Sequence, residues 1–166
     1  MRIQLSFISI LLFIFFSSVA HSETAIGAKA AEQTQTPSIE QMLTFAIQDE
    51  YLAHAEYVAI IDKHGAIRPF SNIVEAEVTH INMLKPLFAT YGFAVPVDNA
   101  ADHILLPADL KTAFEIGVQA EIDNIEMYKS FLLRTLPDDV RAIFEYLQKA
   151  SENHLQAFTR GLSKYK

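Results

Sequence analysis

The chain has 166 residues, 51% hydrophobic and 20% charged, with 13 Lys and Arg against 20 Asp and Glu. A net charge of −7 leaves no basic patch large enough to neutralise a phosphate backbone, which argues against nucleic acid as a partner. With no cysteine, a disulfide scaffold, a thiolate zinc site, an iron–sulfur cluster and a cysteine nucleophile are all excluded.

A mean hydropathy of +0.17 is high for so acidic a chain, and much of the excess lies at the front. Met1-Arg2 leads into an apolar run from Ile3 to Phe16, followed by the small residues Ser17-Ser18-Val19-Ala20. A charged start, a short apolar run and a small-residue end read as an export signal over 1–20. The competing reading, an uncleaved anchor, would need roughly 20 apolar residues. Cleavage after Ala20 gives a periplasmic or secreted chain with no stable membrane insertion. Loss of Arg2 takes its net charge from −7 to −8. Residues 21–36 are small and polar without a sustained period, and read as a flexible linker.

Four long helical patterns fill 37–163, and no stretch alternates with period two long enough to propose a strand. The first begins at Thr36-Pro37-Ser38 and stops at His64-Gly65. The second runs from Pro69-Phe70 to Tyr91-Gly92, with Pro86 predicting a kink or break near Asn82-Met83. The third spans about 108–134 and the fourth about 137–163, opening on Asp138-Asp139, acids suited to a helix N-terminus. Short loops make the first two and the last two antiparallel hairpins. The segment between the hairpins, Gly92 to Pro107, can reach about 50 Å at ~3.3 Å per residue. That exceeds the ~33 Å length of a 22-residue helix, so the segment can cross the whole bundle. The expected fold is all-α: two antiparallel hairpins joined by one long crossover, the connectivity of ferritin-like bundles.

Each helix has an apolar seam at 3, 4, 7 spacing that is interrupted at mid-length. The interrupting residues are Glu50, Glu77 with His80, Glu121, and His154. Antiparallel helices stacked side by side bring these midpoints to one layer. Three buried carboxylates without a counter-charge would cost several kcal/mol each, and no seam holds a Lys or Arg. Divalent metal is the natural source of the missing charge. Glu77-x-x-His80 places both side chains toward one ion, and the chain repeats itself degenerately. Glu50-x6-Tyr57 with Glu77-x-x-His80 is echoed by Glu121-x6-Tyr128 with Ser151-x-x-His154. One Glu and one Glu-x-x-His per hairpin is the layout of a di-iron carboxylate site, and oxygen-rich ligands with two imidazoles suit iron or manganese. Tyr57 and Tyr128 read either as core aromatics or as hydrogen-bond donors to a ligating Glu, with Ser151 and Asn124 also beside the ligands. Glu56, Glu75, Asp123, Glu126 and Glu152 read as a solvated face, His54 as flanking, and His64 and His103 as loop residues without partners.

The chain resembles the ferritin-like superfamily. More narrowly, it resembles the uncharacterised ferritin-like family known as domain of unknown function 2202. The residues that carry this are Asp49-Glu50-Tyr51-Leu52-Ala53 with Tyr57, Phe70-Ser71-Asn72-Ile73 leading to Glu75-Ala76-Glu77 and His80, Glu121, and Asn153-His154-Leu155 with Phe158. The resemblance covers about 38–163 and implies a four-helix bundle holding two metal ions, two irons or two manganese. One departure matters: Ser151 stands where the second bridging carboxylate belongs, and leaves the second position one ligand short. The expected function is an exported protein that reacts with dioxygen or peroxide, through ferroxidase-like iron oxidation or oxidant removal. The alternative is a non-catalytic bundle that binds or senses metal. No exposed face marks an oligomer.

Overall fold

A computed structural model describes residues 25–165. The export signal expected at 1–20, and residues 21–24 of the expected linker, lie outside the described residues. Five helices occur among them: α1 (Gly27–Glu32), α2 (Ile39–His64), α3 (Phe70–Tyr91), α4 (Leu110–Leu132) and α5 (Asp138–Leu162). Short 3-10 turns at Ala100–Asp102 and Ser163–Tyr165 complete the regular structure, with no strand among the described residues. No helix among them is long and apolar enough to cross a membrane.

Local chemistry sets the helix ends. At the start of α2 the Gln41 amide N–H donates to Ser38 Oγ (3.2 Å) while Gln41 Oε1 accepts from the Ser38 N–H (2.9 Å), a reciprocal capping box. Asp109 caps α4 by accepting from the Thr112 N–H at 2.9 Å. Gly92 ends α3 at φ +71°, and the Phe93 N–H turns back to the Phe88 carbonyl (2.8 Å). Of the kink or break expected near Asn82-Met83, the break does not occur, since α3 runs unbroken through Pro86. Asn82 and Pro86 are both exposed, so the carbonyl that Pro86 cannot bond is left to water.

Three long-range hydrogen bonds define the topology. Lys63 Nζ, at the end of α2, donates to the Pro107 carbonyl just before α4 (2.8 Å). Arg134, just past α4, donates to the Gln35 carbonyl before α2 (2.6 Å). Tyr91, at the end of α3, donates to Asp139 at the start of α5 (2.6 Å). Hence α4 is antiparallel to α2, α5 is antiparallel to α3, and residues 92–107 traverse the bundle between its two ends. The region expected as linker is corrected in part: 27–32 form α1, with Ala28 and Ala31 buried against α2. Gly27 permits this approach, since its φ is +61° and a Cβ there would lie 2.5 Å from Asp49 Oδ1.

The core divides into two apolar clusters. One gathers Leu43, Ile47, Leu84, Phe88, Tyr128, Phe131 and Phe144 toward one end of the bundle. The other gathers Tyr57, Ile60, Phe70, Phe114 and Phe158 toward the opposite end. In the second, the Phe70, Phe114 and Phe158 rings lie 5.0–6.4 Å apart in tilted and edge-on pairs. Gly117 and Gly161 make room for them: a Cβ on Gly117 would meet Phe158 at 2.9 Å, and one on Gly161 would overlap the Phe114 ring. Gly161→Ala is therefore expected to cost about 1–3 kcal/mol through overpacking, despite the better helix propensity of Ala. Urea unfolding checks this, and a midpoint at or above that of the parent would contradict it.

Candidate metal centre

Between the two apolar clusters lies a layer of buried polar side chains. Glu50 comes from α2, Glu77 and His80 from α3, Glu121 from α4 and His154 from α5, so the structure brings together all five residues that interrupt the seams. The first four are at most 4% exposed. They form two groups, Glu50–Glu77–His80 and Glu77–Glu121–His154, each with ligand atoms within 4.8 Å of one another. Glu77 belongs to both. Its Oε2 lies 2.8 Å from His80 Nδ1 and its Oε1 lies 3.3 Å from His154 Nδ1. His80 Nδ1 is also 3.0 Å from Glu50 Oε2, and His154 Nδ1 is 3.4 Å from Glu121 Oε1. The two imidazoles stack with centroids 5.7 Å apart.

The tyrosines are hydrogen-bond donors, and they cross between hairpins. Tyr128 on α4 donates to Glu50 Oε1 on α2 (2.8 Å), and Tyr57 on α2 donates to Glu121 Oε1 on α4 (3.0 Å). Burial pushes both phenols well above their ordinary range, so they stay protonated as donors. Ser151 does not complete the symmetry. Its Oγ lies 2.7 Å from Asn124 Oδ1 and 3.1 Å from the Leu147 carbonyl, and Asn124 Nδ2 in turn donates to Asp49 Oδ2 (2.6 Å). The Ala28 N–H donates to Asp49 Oδ1 (2.8 Å), so this chain of bonds connects α1 to the position of the missing carboxylate.

The charges of the layer depend on one another. Burial works against ionisation of Glu77, but hydrogen bonds from His154 and His80 outweigh it and hold its carboxyl at about 2. Burial raises Glu50 to about 8 and also raises Glu121. It disfavours charge on the imidazoles too, yet their carboxylate partners hold His80 at about 10 and His154 at about 9. Protons on the two Nδ1 atoms thus supply the positive charge that no Lys or Arg provides. A divalent ion would supply the same charge, with the Nδ1 protons released. Carboxylate and imidazole donors in two triads that share one carboxylate fit a pair of such ions.

Two acids were not among the expected site residues. Asp49 is raised to about 6 by burial, and Glu56, expected on the solvated face, is half-buried and raised to about 7 by the same effect. Both face α1, whose packing the polar composition of 21–36 did not reveal. His103, expected without a partner, lies 3.1 Å from Asn99 Nδ2.

The comparisons agree with the fold. No family model matches the chain. The uncharacterized protein MJ0754 of Methanocaldococcus jannaschii is 26% identical over 133 residues, 71% of each chain. Its crystal structure superposes with a TM-score of 0.69, covering 80% of this chain and 85% of that one. A conserved hypothetical protein of Mycobacterium tuberculosis, rv2844, shares the fold at 15% identity and a TM-score of 0.64, covering 82% and 94% respectively.

Free of metal, the fold holds protons on His80, His154 and Glu50 more tightly than the unfolded chain does. Their stabilisation is complete below the unfolded values and is lost as pH rises through about 8 to 10. Glu77 acts oppositely, but only as pH falls from 4.5 toward 2. The melting temperature of chelator-treated protein should therefore fall steadily from pH 6 to pH 9, and a flat or rising profile would contradict the proton-filled layer. Separately, Tyr128→Phe leaves a buried oxygen of Glu50 without its donor. It should cost about 1–3 kcal/mol in urea unfolding.

Proposed function

We propose that this protein is an exported ferritin-like protein whose buried layer holds a di-iron or dimanganese carboxylate centre that is redox-active toward dioxygen or peroxide. The observation that carries the reading is Glu77, whose Oε2 lies against His80, which also touches Glu50, and whose Oε1 lies against His154, which also touches Glu121. A carboxylate so placed could serve two ions at once. Two hairpins joined by a crossover, with one Glu and one His-bearing helix in each, support the ferritin-like assignment. The apolar start of the chain supports export.

Two metal ions held here would supply one-electron steps, and hard carboxylate ligands favour the higher oxidation state. The chain's own residues do the rest. Glu50 and Glu121 would each hold one of the ions, and each is oriented by a tyrosine from the other hairpin. His80 and His154 would have to release their Nδ1 protons to act as ligands, so affinity for metal should rise with pH. Ser151, turned onto Asn124, adds no carboxylate, so each position would have three protein ligands and could take an oxidant as a further one. The same serine favours the alternative reading, a non-catalytic bundle that binds or senses a single ion.

Metal analysis of protein purified without chelator, followed by anaerobic Fe(II) addition and exposure to oxygen, separates the two. The centre predicts two ions per chain and rapid Fe(III) absorbance. Glu77→Ala should abolish both, whereas Glu50→Ala should leave about one ion. One ion per parent chain, or slow stoichiometric oxidation, would support the alternative.

A further inference from the structure

A cavity of about 500 Å³ lies between α2 and α4, roofed by α1 and by the crossover at His103–Leu105. Its floor includes Glu77, Glu121 and Tyr57 but none of Glu50, His80 or Tyr128, so it opens onto one half of the buried layer. That volume is far more than dioxygen or peroxide needs, and falls within the ~300–1,000 Å³ typical of small-molecule sites. Leu52, Ile104, Leu105 and Ile116 give it apolar walls.

The polar groups on these walls are not equally free. Asp49 has both oxygens engaged, by the Ala28 N–H and Asn124 Nδ2. Asp123 accepts from Gln119 at 2.7 Å. Glu56 accepts no hydrogen bond and forms no ion pair among the described residues, although burial raises its carboxyl to about 7. Lys29, also on the wall, is exposed and forms no ion pair with it among the described residues, although its charge reaches Glu56 and offsets part of the effect of burial. An apolar chamber with one half-buried, unengaged carboxylate is complementary to a molecule with an apolar body and a hydrogen-bonding cation.

We propose that this cavity binds a small organic amine, with its alkyl or aryl body against Leu52, Ile104 and Ile116 and its ammonium on Glu56. The bound molecule then abuts the Glu77–Glu121–His154 half of the layer. That placement beside a metal rests on the function proposed above, whereas the binding itself requires no metal. Ala25, Ile26, Ala28 and Lys29 line the chamber on its α1 side.

Calorimetric titration of the chelator-treated protein at pH 8 with octylamine, octanol and octanoate tests the proposal. Octylamine should bind one per chain, about tenfold or more tighter than octanol, with octanoate weakest. Glu56→Gln should bring octylamine to the affinity of octanol and leave octanol unchanged. Ala53→Phe, which fills the chamber from α2, should abolish binding of both while circular dichroism confirms an intact helical fold. Equal affinity for amine and carboxylate, or an unchanged octylamine affinity in Glu56→Gln, would overturn the proposal. In Co(II)-loaded protein, octylamine should also shift the visible absorbance of the parent but not of Ala53→Phe. If Co(II) fails to bind but the calorimetry holds, the metal centre falls and the amine site stands. If Co(II) binds but octylamine does not, the reverse is true.

Discussion

Neutralising three carboxylates in the middle of a helical bundle is the constraint on which the rest of this molecule depends. Glu50, Glu77 and Glu121 are almost wholly buried, and among the described residues no Lys or Arg is buried with them. Left alone they would each cost several kcal/mol. The bundle meets the cost by placing two imidazoles between them and a phenol against each outer carboxylate. This fixes more than local charge. The helices must align at mid-length for these groups to meet, and the apolar core is therefore split into a cluster on either side of the layer.

The crossed tyrosines make the layer a structural lock between hairpins. Tyr57 leaves the Glu of its own helix and serves the Glu of α4, while Tyr128 does the converse. Within each pair the donor and acceptor belong to different hairpins, 64 and 78 residues apart in sequence. Charge balance and hairpin docking are thus one interaction, and metal entering the layer would tighten the same joint.

The two-fold repeat is broken in one place, and the break has consequences outward from the centre. Ser151 is too short to act as a bridge and bonds to Asn124, which holds Asp49, which receives the N–H of Ala28. On that side α1 and the crossover enclose a chamber against α2 and α4. The two halves of the layer therefore differ in what can reach them, although their Glu and His residues are arranged alike.

The amino-acid order alone shows the four long helices, within one or two residues at most ends, and the five polar residues that share a depth in their seams. It could do so because both signals are periodic and local: capping residues and glycine stops mark the ends, and a polar residue in an apolar stripe stands out at 3, 4, 7 spacing. It did not reveal which tyrosine serves which glutamate, since Tyr57 and Tyr128 sit one heptad from their own Glu and only docking sends them across. It also missed α1, whose six residues carry too little apolar surface to declare a helix, and which is held by the Asp49 carboxylate and the φ of Gly27. Met42 and Tyr51 on α2, and the placement of Asp49 and Glu56, went unread for the same reason. Met42, Asp49 and Glu56 lie on one flank of the α2 seam and Tyr51 on the other, and both flanks become interior only once α1 and the crossover lie over them. Burial there is conferred by elements that are remote in sequence and polar in composition, so only the tertiary structure decided it.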